Sequence, residues 1–202
     1  ILEGPKEALQ LTKNTQPAIL IVSHSIFRVL KDEYGFDLSS FKFFAGHSLG
    51  EYSALVCSNS LNYEDAIYLL HERGKAMQEA VPVGSGSMMA VLGIKIDDIT
   101  QLLKTKKDKG ICEVANDNAN GQVIVSGDKE GIESFQILLK EKKIKTIPLK
   151  VSAPFHCSLM KPAANAMEEK INSTQFRNPS LKIISNVTAS PVSNSEDIKR
   201  LL

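Results

Sequence analysis

Charge of one sign is missing from this sequence. Its 202 residues carry 24 Lys and Arg against 23 Asp and Glu, a net charge of +1. A dedicated nucleic-acid binder would show a basic stripe, and the balance argues against one. It also rules out a polyanionic tail and general disorder. Long apolar runs are missing too. The longest near the start, residues 18–22, falls far short of the roughly 18 residues that span a bilayer. Residues 1–10 hold Glu3, Pro5, Lys6 and Glu7 where a secretion signal would have its apolar segment. Cysteine is scarce: Cys57, Cys112 and Cys157 are odd in number and far apart, so they form neither a disulfide framework nor a metal-ligand spacing. The glycine-rich VGSGS segment, 83–87, lacks the Lys-Ser/Thr of a phosphate-binding loop. The expected setting is reducing and cytoplasmic, with no metal, nucleic acid or membrane partner.

What is present is the balance of a globular protein. Apolar residues make up 43% and charged residues 23%, enough to bury a real core. The length allows one domain, or one domain with an insertion. Residues 1–15 are polar and loop-like; Ile19, Val22, Ile26, Val29 and Leu30 then recur at helical spacing over 17–30. A short apolar run at 41–45 predicts a strand and 49–56 a helix. Asn62 is placed to cap a helix in which Ile67, Leu70, Gly74, Met77 and Val81 share one face. From 87 the rhythm changes to strand 88–94, helix 96–106, strands 111–115 and 122–126, helix 129–142 and strand 145–151. That order, βαββαβ, is the ferredoxin-like unit. Residues 87–150 therefore read as a small inserted subdomain, with 1–86 and 151–202 as the main α/β domain. A helix at 161–172, a strand at 181–184 and a loop over 186–195 follow, and a further helix starts before Leu202.

Residues 43–55, FFAGHSLGEYSAL, carry the chemistry. Gly46-His47-Ser48-Leu49-Gly50 fits G-x-S-x-G, a nucleophile elbow between an arriving strand and a departing helix. The glycines on both sides are expected to be required by close approach of the strand and helix. The turn exposes the Ser48 hydroxyl at a helix N-terminus and aims the Leu49 N–H at a developing oxyanion. The alternative is a glycine-rich turn whose serine merely caps the helix.

A serine hydroxyl needs a base. His24 and His71 lie within helices and read most simply as structural. His47 adjoins Ser48 on a sharp turn, where neighbouring side chains diverge. His156 stands in a loop, SAPFHC, after the inserted subdomain, where catalytic groups are often presented. Spacing leaves the choice open. Arg73 borders the apolar stripe of its helix, so its guanidinium needs a carboxylate or a bound anion. From the residues alone a surface ion pair is the simpler answer. Gly74 costs a helix about 1 kcal/mol relative to Ala, which suggests close backbone approach.

GHSLGEYSAL, ERGKAMQEAVP, NANGQVIVSG and VSAPFHCSLMKPA, in that order, resemble malonyl-CoA:acyl carrier protein transacylases over essentially the whole chain. The resemblance implies an α/β-hydrolase-like core with a ferredoxin-like insertion. It implies that Ser48 is the acylated serine, His156 its base and acid, Arg73 the holder of the malonyl carboxylate, and Leu49 an oxyanion donor. Met77 and Phe155 match pocket-wall positions, the bulk of Phe155 leaving little room for a methyl branch. Asn118 matches a site-lining asparagine. Malonyl-CoA and an acyl carrier protein are the implied partners of a monomer without metal or redox cofactor. Lys104, Lys106, Lys107 and Lys109, or Lys140, Lys142, Lys143 and Lys145, would face an acidic carrier. The family's first strand, with its glutamine-bearing loop, and its last strands have no counterpart in these 202 residues. This stretch alone is therefore expected to be unstable or weakly active. A serine thioesterase built on the same elbow and a non-catalytic carrier-docking module are the competing readings.

Overall fold

The computed structural model describes residues 1–82, 84–106, 110–149, 151 and 153–202. Val83 of the glycine-serine segment, Lys107 and Lys109 of the first lysine cluster, Lys150 at the expected subdomain boundary and Ser152 of the histidine loop lie outside the described residues. In chain order the elements are α1 (Lys6–Gln10), α2 (Thr12–Asp32), β1 (Phe43–Ala45), α3 (Leu49–Cys57), α4 (Tyr63–Glu79), β2 (Gly86–Leu92), α5 (Ile96–Lys104) and β3 (Cys112–Ala119). They continue with β4 (Gln122–Asp128), α6 (Lys129–Glu141), β5 (Lys145–Pro148), α7 (Lys161–Ser173), β6 (Lys182–Ile184), β7 (Pro191–Val192) and α8 (Ser195–Leu201). The chain is an α/β protein that divides into two compact units, Ile1–Lys75 with Ala166–Leu202, and Ala76–Asn165.

The first unit is built on a mixed sheet ordered β1-β6-β7. β1 and β6 run parallel with Ala45 opposite Ile184, so the chain leaves both strands at the same end. Gly46–Ser48 and Ser185–Asn186 emerge side by side there. Ligands in open α/β sheets collect at the carboxyl ends of parallel strands. β7 pairs antiparallel with β6 through Val192 and Pro191, inside the stretch expected to be loop. Two residues are too few to show a period, and Pro191 is tolerated because β7 is an edge strand. Leu20, Leu55, Leu69, Leu70 and Ile183 are essentially inaccessible and anchor the core. Each such side chain contributes about 1.5–3 kcal/mol of burial free energy.

The polar opening stretch is helical rather than loop. Asn14 Nδ2 donates to the Ala8 carbonyl at 2.9 Å and Thr15 Oγ1 to the Leu11 carbonyl at 3.0 Å, so polar side chains fold back on the backbone and tie α1 to α2. α2 also runs through Pro17 instead of starting there. A proline inside a helix strips the carbonyl four residues back of its donor, here that of Lys13. His71 of α4 supplies the replacement, with Nδ1 3.1 Å from the Lys13 oxygen. A carbonyl only accepts, so His71 carries its proton on Nδ1. α2 buries Gln16 and Leu20, while Ile19, Val22, Ile26 and Val29 stay exposed.

The second unit holds a four-stranded antiparallel sheet ordered β3-β4-β2-β5, joined in the sequence β2-α5-β3-β4-α6-β5. Alternation along β2 is strict. Met89 and Val91 pack with Ile99 of α5 and Ile132, Phe135 and Leu139 of α6, while Met88 and Ala90 pack on the opposite face with Ile124 and Phe155. The unit extends beyond 87–150 at both ends, taking in the last turn of α4 and the 153–165 segment. Cys57, Cys112 and Cys157 are free thiols, and burial pushes the Cys57 thiol up to about 11. Among the described residues no helix is long and apolar enough to cross a membrane.

Candidate active site

The turn between β1 and α3 is strained at its serine. Ser48 has φ 53° and ψ −112°, and its side chain makes no capping bond. A helix cap sits in extended backbone and accepts an amide hydrogen bond; Ser48 does neither, so the capping alternative fails. A non-glycine residue held there costs about 1–3 kcal/mol and persists only where its surroundings enforce it. Gly46 is part of that enforcement: a Cβ there would come 1.9 Å from the Gly50 carbonyl oxygen and 2.7 Å from the Glu51 nitrogen. The matching expectation for Gly50 is corrected. A Cβ at Gly50 meets no atom within 4 Å, because that position in the first turn of α3 faces away from the close contact. The Gly50 amide donates to the His47 carbonyl at 2.9 Å and the Glu51 amide to that of Ser48 at 3.0 Å. The Leu49 N–H has no acceptor among the described hydrogen bonds and stands at the positive end of the α3 dipole.

Arg73 reaches this turn from α4. Its neighbour Gly74 allows the approach: a Cβ there would lie 2.5 Å from both the Lys13 Cα and the Thr12 oxygen, so α2 and α4 meet backbone to backbone. One turn further along α2, Gln16 is buried, and its Oε1 accepts from Arg73 Nη1 at 2.7 Å. Gln16 Nε2 donates to Thr12 Oγ1 at 3.1 Å, which fixes the orientation of its amide. Arg73 Nη2 donates to Ser48 Oγ at 3.2 Å, and its guanidinium carbon lies 6.0 Å from the centre of the Tyr52 ring. The surface ion pair that the residues alone favoured is absent: the ion pairs among the described residues do not include Arg73. Burial lowers its affinity for the proton, opposed by Tyr52 and Glu51. Burial also raises the Glu51 carboxyl, opposed by its hydrogen bonds from Asn186 and by Arg73.

Ser48, Leu49 and Arg73 are thus gathered in the first unit. The second carries His156, Phe155, Met77 and Asn118. His156 is the other strained residue of the candidate set, with φ 60°. Its loop is fastened on both sides. Pro154 packs on Gly86, where a Cβ would meet the proline ring at 2.3 Å. Ser158 gives both its amide and its hydroxyl to the Glu113 carboxylate at 2.7 Å. Phe155 and buried Met77 pack together with Met160 and Ala163, so these two are brought into one cluster. Asn118 is exposed on β3 at a break in register between Asp117 and Ala119, the kind of bulge that re-aims a side chain. Of the remaining histidines, His24 stacks on Tyr63 with ring centres 4.7 Å apart, and His71 serves the Lys13 carbonyl. Gln16, Glu51, Asn186 and Glu113 were not singled out from the sequence. Their contacts span 45 to 140 positions, and no local motif contains both ends.

The acyl transferase domain model matches residues 1–199. A malonyl CoA-acyl carrier protein transacylase of Bacillus subtilis is 42% identical over all of this chain and 63% of its own length. One from Haemophilus influenzae is 39% identical, again over all of this chain and 64% of its own. Among solved structures, an acyl-carrier-protein S-malonyltransferase from Bartonella henselae superposes with a TM-score of 0.93 at 41% identity, over 98% of this chain and 64% of that one. A malonyl-transacylase in complex with its type II PKS acyl-carrier protein gives 0.93 at 39%, with the same coverage. The chain spans a little under two thirds of the length of these relatives. With one family model over nearly every residue, and the strained serine of an elbow at its centre, the chain belongs to the acyl transferase domain family.

Proposed function

We propose that this chain carries the serine of a malonyl-CoA:acyl carrier protein S-malonyltransferase of fatty acid biosynthesis. The observation that carries the reading is the 3.2 Å contact between Arg73 Nη2 and Ser48 Oγ, made by a guanidinium with neutral partners. By standard bond lengths, the free carboxylate of a malonyl-serine ester sits about 3–4 Å from the serine oxygen. A guanidinium already beside that oxygen is placed to take it bidentately. An acetyl group has nothing to offer there.

The reaction runs in two halves. Ser48 Oγ attacks the thioester carbonyl while His156, assigned as the base, takes its proton. The carbonyl oxygen becomes an oxyanion against the Leu49 N–H, the C–S bond breaks, and coenzyme A leaves with the proton. The carrier's phosphopantetheine thiol gives its proton to His156 and attacks the malonyl ester. The C–O bond breaks and Ser48 recovers its proton. The thioester supplies the driving force, so we assign no metal or redox cofactor. Met77 and Phe155 are assigned to the acyl pocket wall and Asn118 to its lining. The lysines at 140, 142, 143 and 145, all exposed, are a candidate face for an acidic carrier. We further read the first unit as a hydrolase-like core and the second as a ferredoxin-like subdomain, in a cytoplasmic monomer. The names of the relatives support the substrate and the carrier.

The test is product analysis with the complete protein, malonyl-CoA and a holo carrier protein. Malonyl-carrier formation lost in Ser48→Ala supports the reading. Free malonate as the main product would favour a thioesterase, and absence of any acyl-enzyme would favour a docking module.

A further inference from the structure

The strained serine is held from outside its own turn. Asn186 follows β6, and its side chain reaches both shoulders of the elbow. Oδ1 accepts from the Ser48 amide at 2.8 Å, and Nδ2 donates to the Gly46 carbonyl at 2.7 Å. The parallel register explains how it gets there: Ala45 lies opposite Ile184, so Asn186 leaves the sheet level with the turn. An asparagine amide has two orientations of nearly equal shape, and only one fits. Glu51, 7% exposed in the first turn of α3, decides between them. Its Oε2 accepts from Asn186 Nδ2 at 2.7 Å and from the Asn186 backbone amide at 3.3 Å. Turned the other way, the amide would set its oxygen against the Gly46 carbonyl and the Glu51 carboxylate, and its NH2 against the Ser48 N–H.

We infer that Asn186 is the positioning residue of the nucleophile turn, and that buried Glu51 locks Asn186 in the one orientation that holds Ser48. With its own amide engaged, Ser48 keeps its hydroxyl at a fixed angle to the first amide of α3, that of Leu49. The inference rests on the reading of Ser48 as the nucleophile, and it adds what keeps that nucleophile in its attacking conformation.

Two reagents separate the brace from the substrate. Malonyl-CoA reads acylation, and phenylmethylsulfonyl fluoride, a small neutral sulfonylating reagent, reads the Ser48 hydroxyl without using Arg73. Asn186→Asp in the complete protein keeps the acceptor for the Ser48 N–H. It loses the donor to Gly46 and sets a carboxylate against Glu51. It should slow both reactions by about 10²-fold, the scale of a misplaced reacting group, while half-saturation by malonyl-CoA stays within about twofold. Adding Glu51→Gln returns an amide–carboxylate pair with the roles exchanged and should restore at least about tenfold of the lost rate. Lowering the pH from about 8 to 6 should narrow the gap between Asn186→Asp and the parent, because two facing carboxylates take up a shared proton. That proton can serve the Gly46 carbonyl. A merely structural role would show in the melting temperature and not in the exchange or the pH response. Sulfonylation of Asn186→Asp within about threefold of the parent overturns the assignment, as does a double variant no faster than the single. If Asn186→Asp does not fold, Glu51→Gln carries the test: a sulfonylation rate three- to tenfold below the parent is expected, roughly the effect of one weakened hydrogen bond, and an unchanged rate overturns the inference. A parent that sulfonylates but never takes malonyl refutes the proposed substrate and leaves the brace standing.

Discussion

Gly74 lies so close to Lys13 that a single methyl group would fall 2.5 Å from the Lys13 Cα. This contact seats α2 against α4 and brings Gln16 onto Arg73. Gly74→Ala gains helix propensity of about 1 kcal/mol and loses more than that to overlap with backbone, which cannot rotate away. The expected result is a net loss of about 1–3 kcal/mol in denaturant unfolding, together with weaker discrimination between malonyl and acetyl donors. A stabilised protein would show that the helices separate freely.

His71 and Pro17 should be coupled. Removing the imidazole leaves the Lys13 carbonyl without a donor, at a cost of about 1–3 kcal/mol. Pro17→Ala restores the amide that a helix would normally aim at that carbonyl. His71→Ala should therefore cost clearly less in a Pro17→Ala background. Double-mutant-cycle unfolding measures the difference, and strict additivity would remove the explanation given for the unbroken helix.

The two glycines of the elbow should behave oppositely. Gly46→Ala drives a Cβ into the Gly50 carbonyl and should abolish acylation, with a stability loss of about 3 kcal/mol or failure to fold. Gly50→Ala meets open space and sits in a helix, so its stability should be unchanged or about 0.5–1 kcal/mol higher. Thermal melts of the pair decide this, and equal damage would contradict the packing described.

Glu51 gives a pH signature. Burial raises its carboxyl above the ordinary value of 4.5, against the hydrogen bonds from Asn186. Its protonated form is thus relatively favoured in the folded state. The stability this contributes is fully present below 4.5, where the unfolded carboxyl is also protonated. It is lost as the pH rises from there through the raised folded value. Glu51→Gln should flatten unfolding stability in that window. An unchanged pH profile would mean that the carboxylate is better solvated than its burial indicates.

Much of the fold was legible because periodicity is local. The apolar run of Met88–Val91, the helical spacing along α4 and the strand–turn–helix around Ser48 each announce themselves within a few residues. Where the reading failed, the cause was a side-chain hydrogen bond that apolar periodicity does not record, local in one case and remote in the other. Residues 6–16 form helices because Asn14 and Thr15 bond the backbone behind them, and Pro17 stays inside α2 because His71 completes its hydrogen bonding. The apolar stripe of α2 pointed away from its buried face, where Gln16 serves Arg73. The site divides in the same way. Ser48 stands in a motif. Gln16, Glu51 and Asn186 do their work through contacts spanning 57 to 140 positions, and no window of sequence contains both ends.

The central claim is that Ser48 takes a diacid acyl group because Arg73 holds its free carboxylate. Competition between malonyl-CoA and acetyl-CoA, read by intact mass and located by peptide mapping, tests it in one measurement on the parent and on Arg73→Ala. The parent should carry malonate on Ser48. Arg73→Ala should lose about 10- to 200-fold in malonyl loading, the worth of a charge-assisted pair of about 1.5–3 kcal/mol, with acetyl loading nearly unchanged. Equal loss of both acyl groups, or a malonyl adduct on any other residue, would contradict the account.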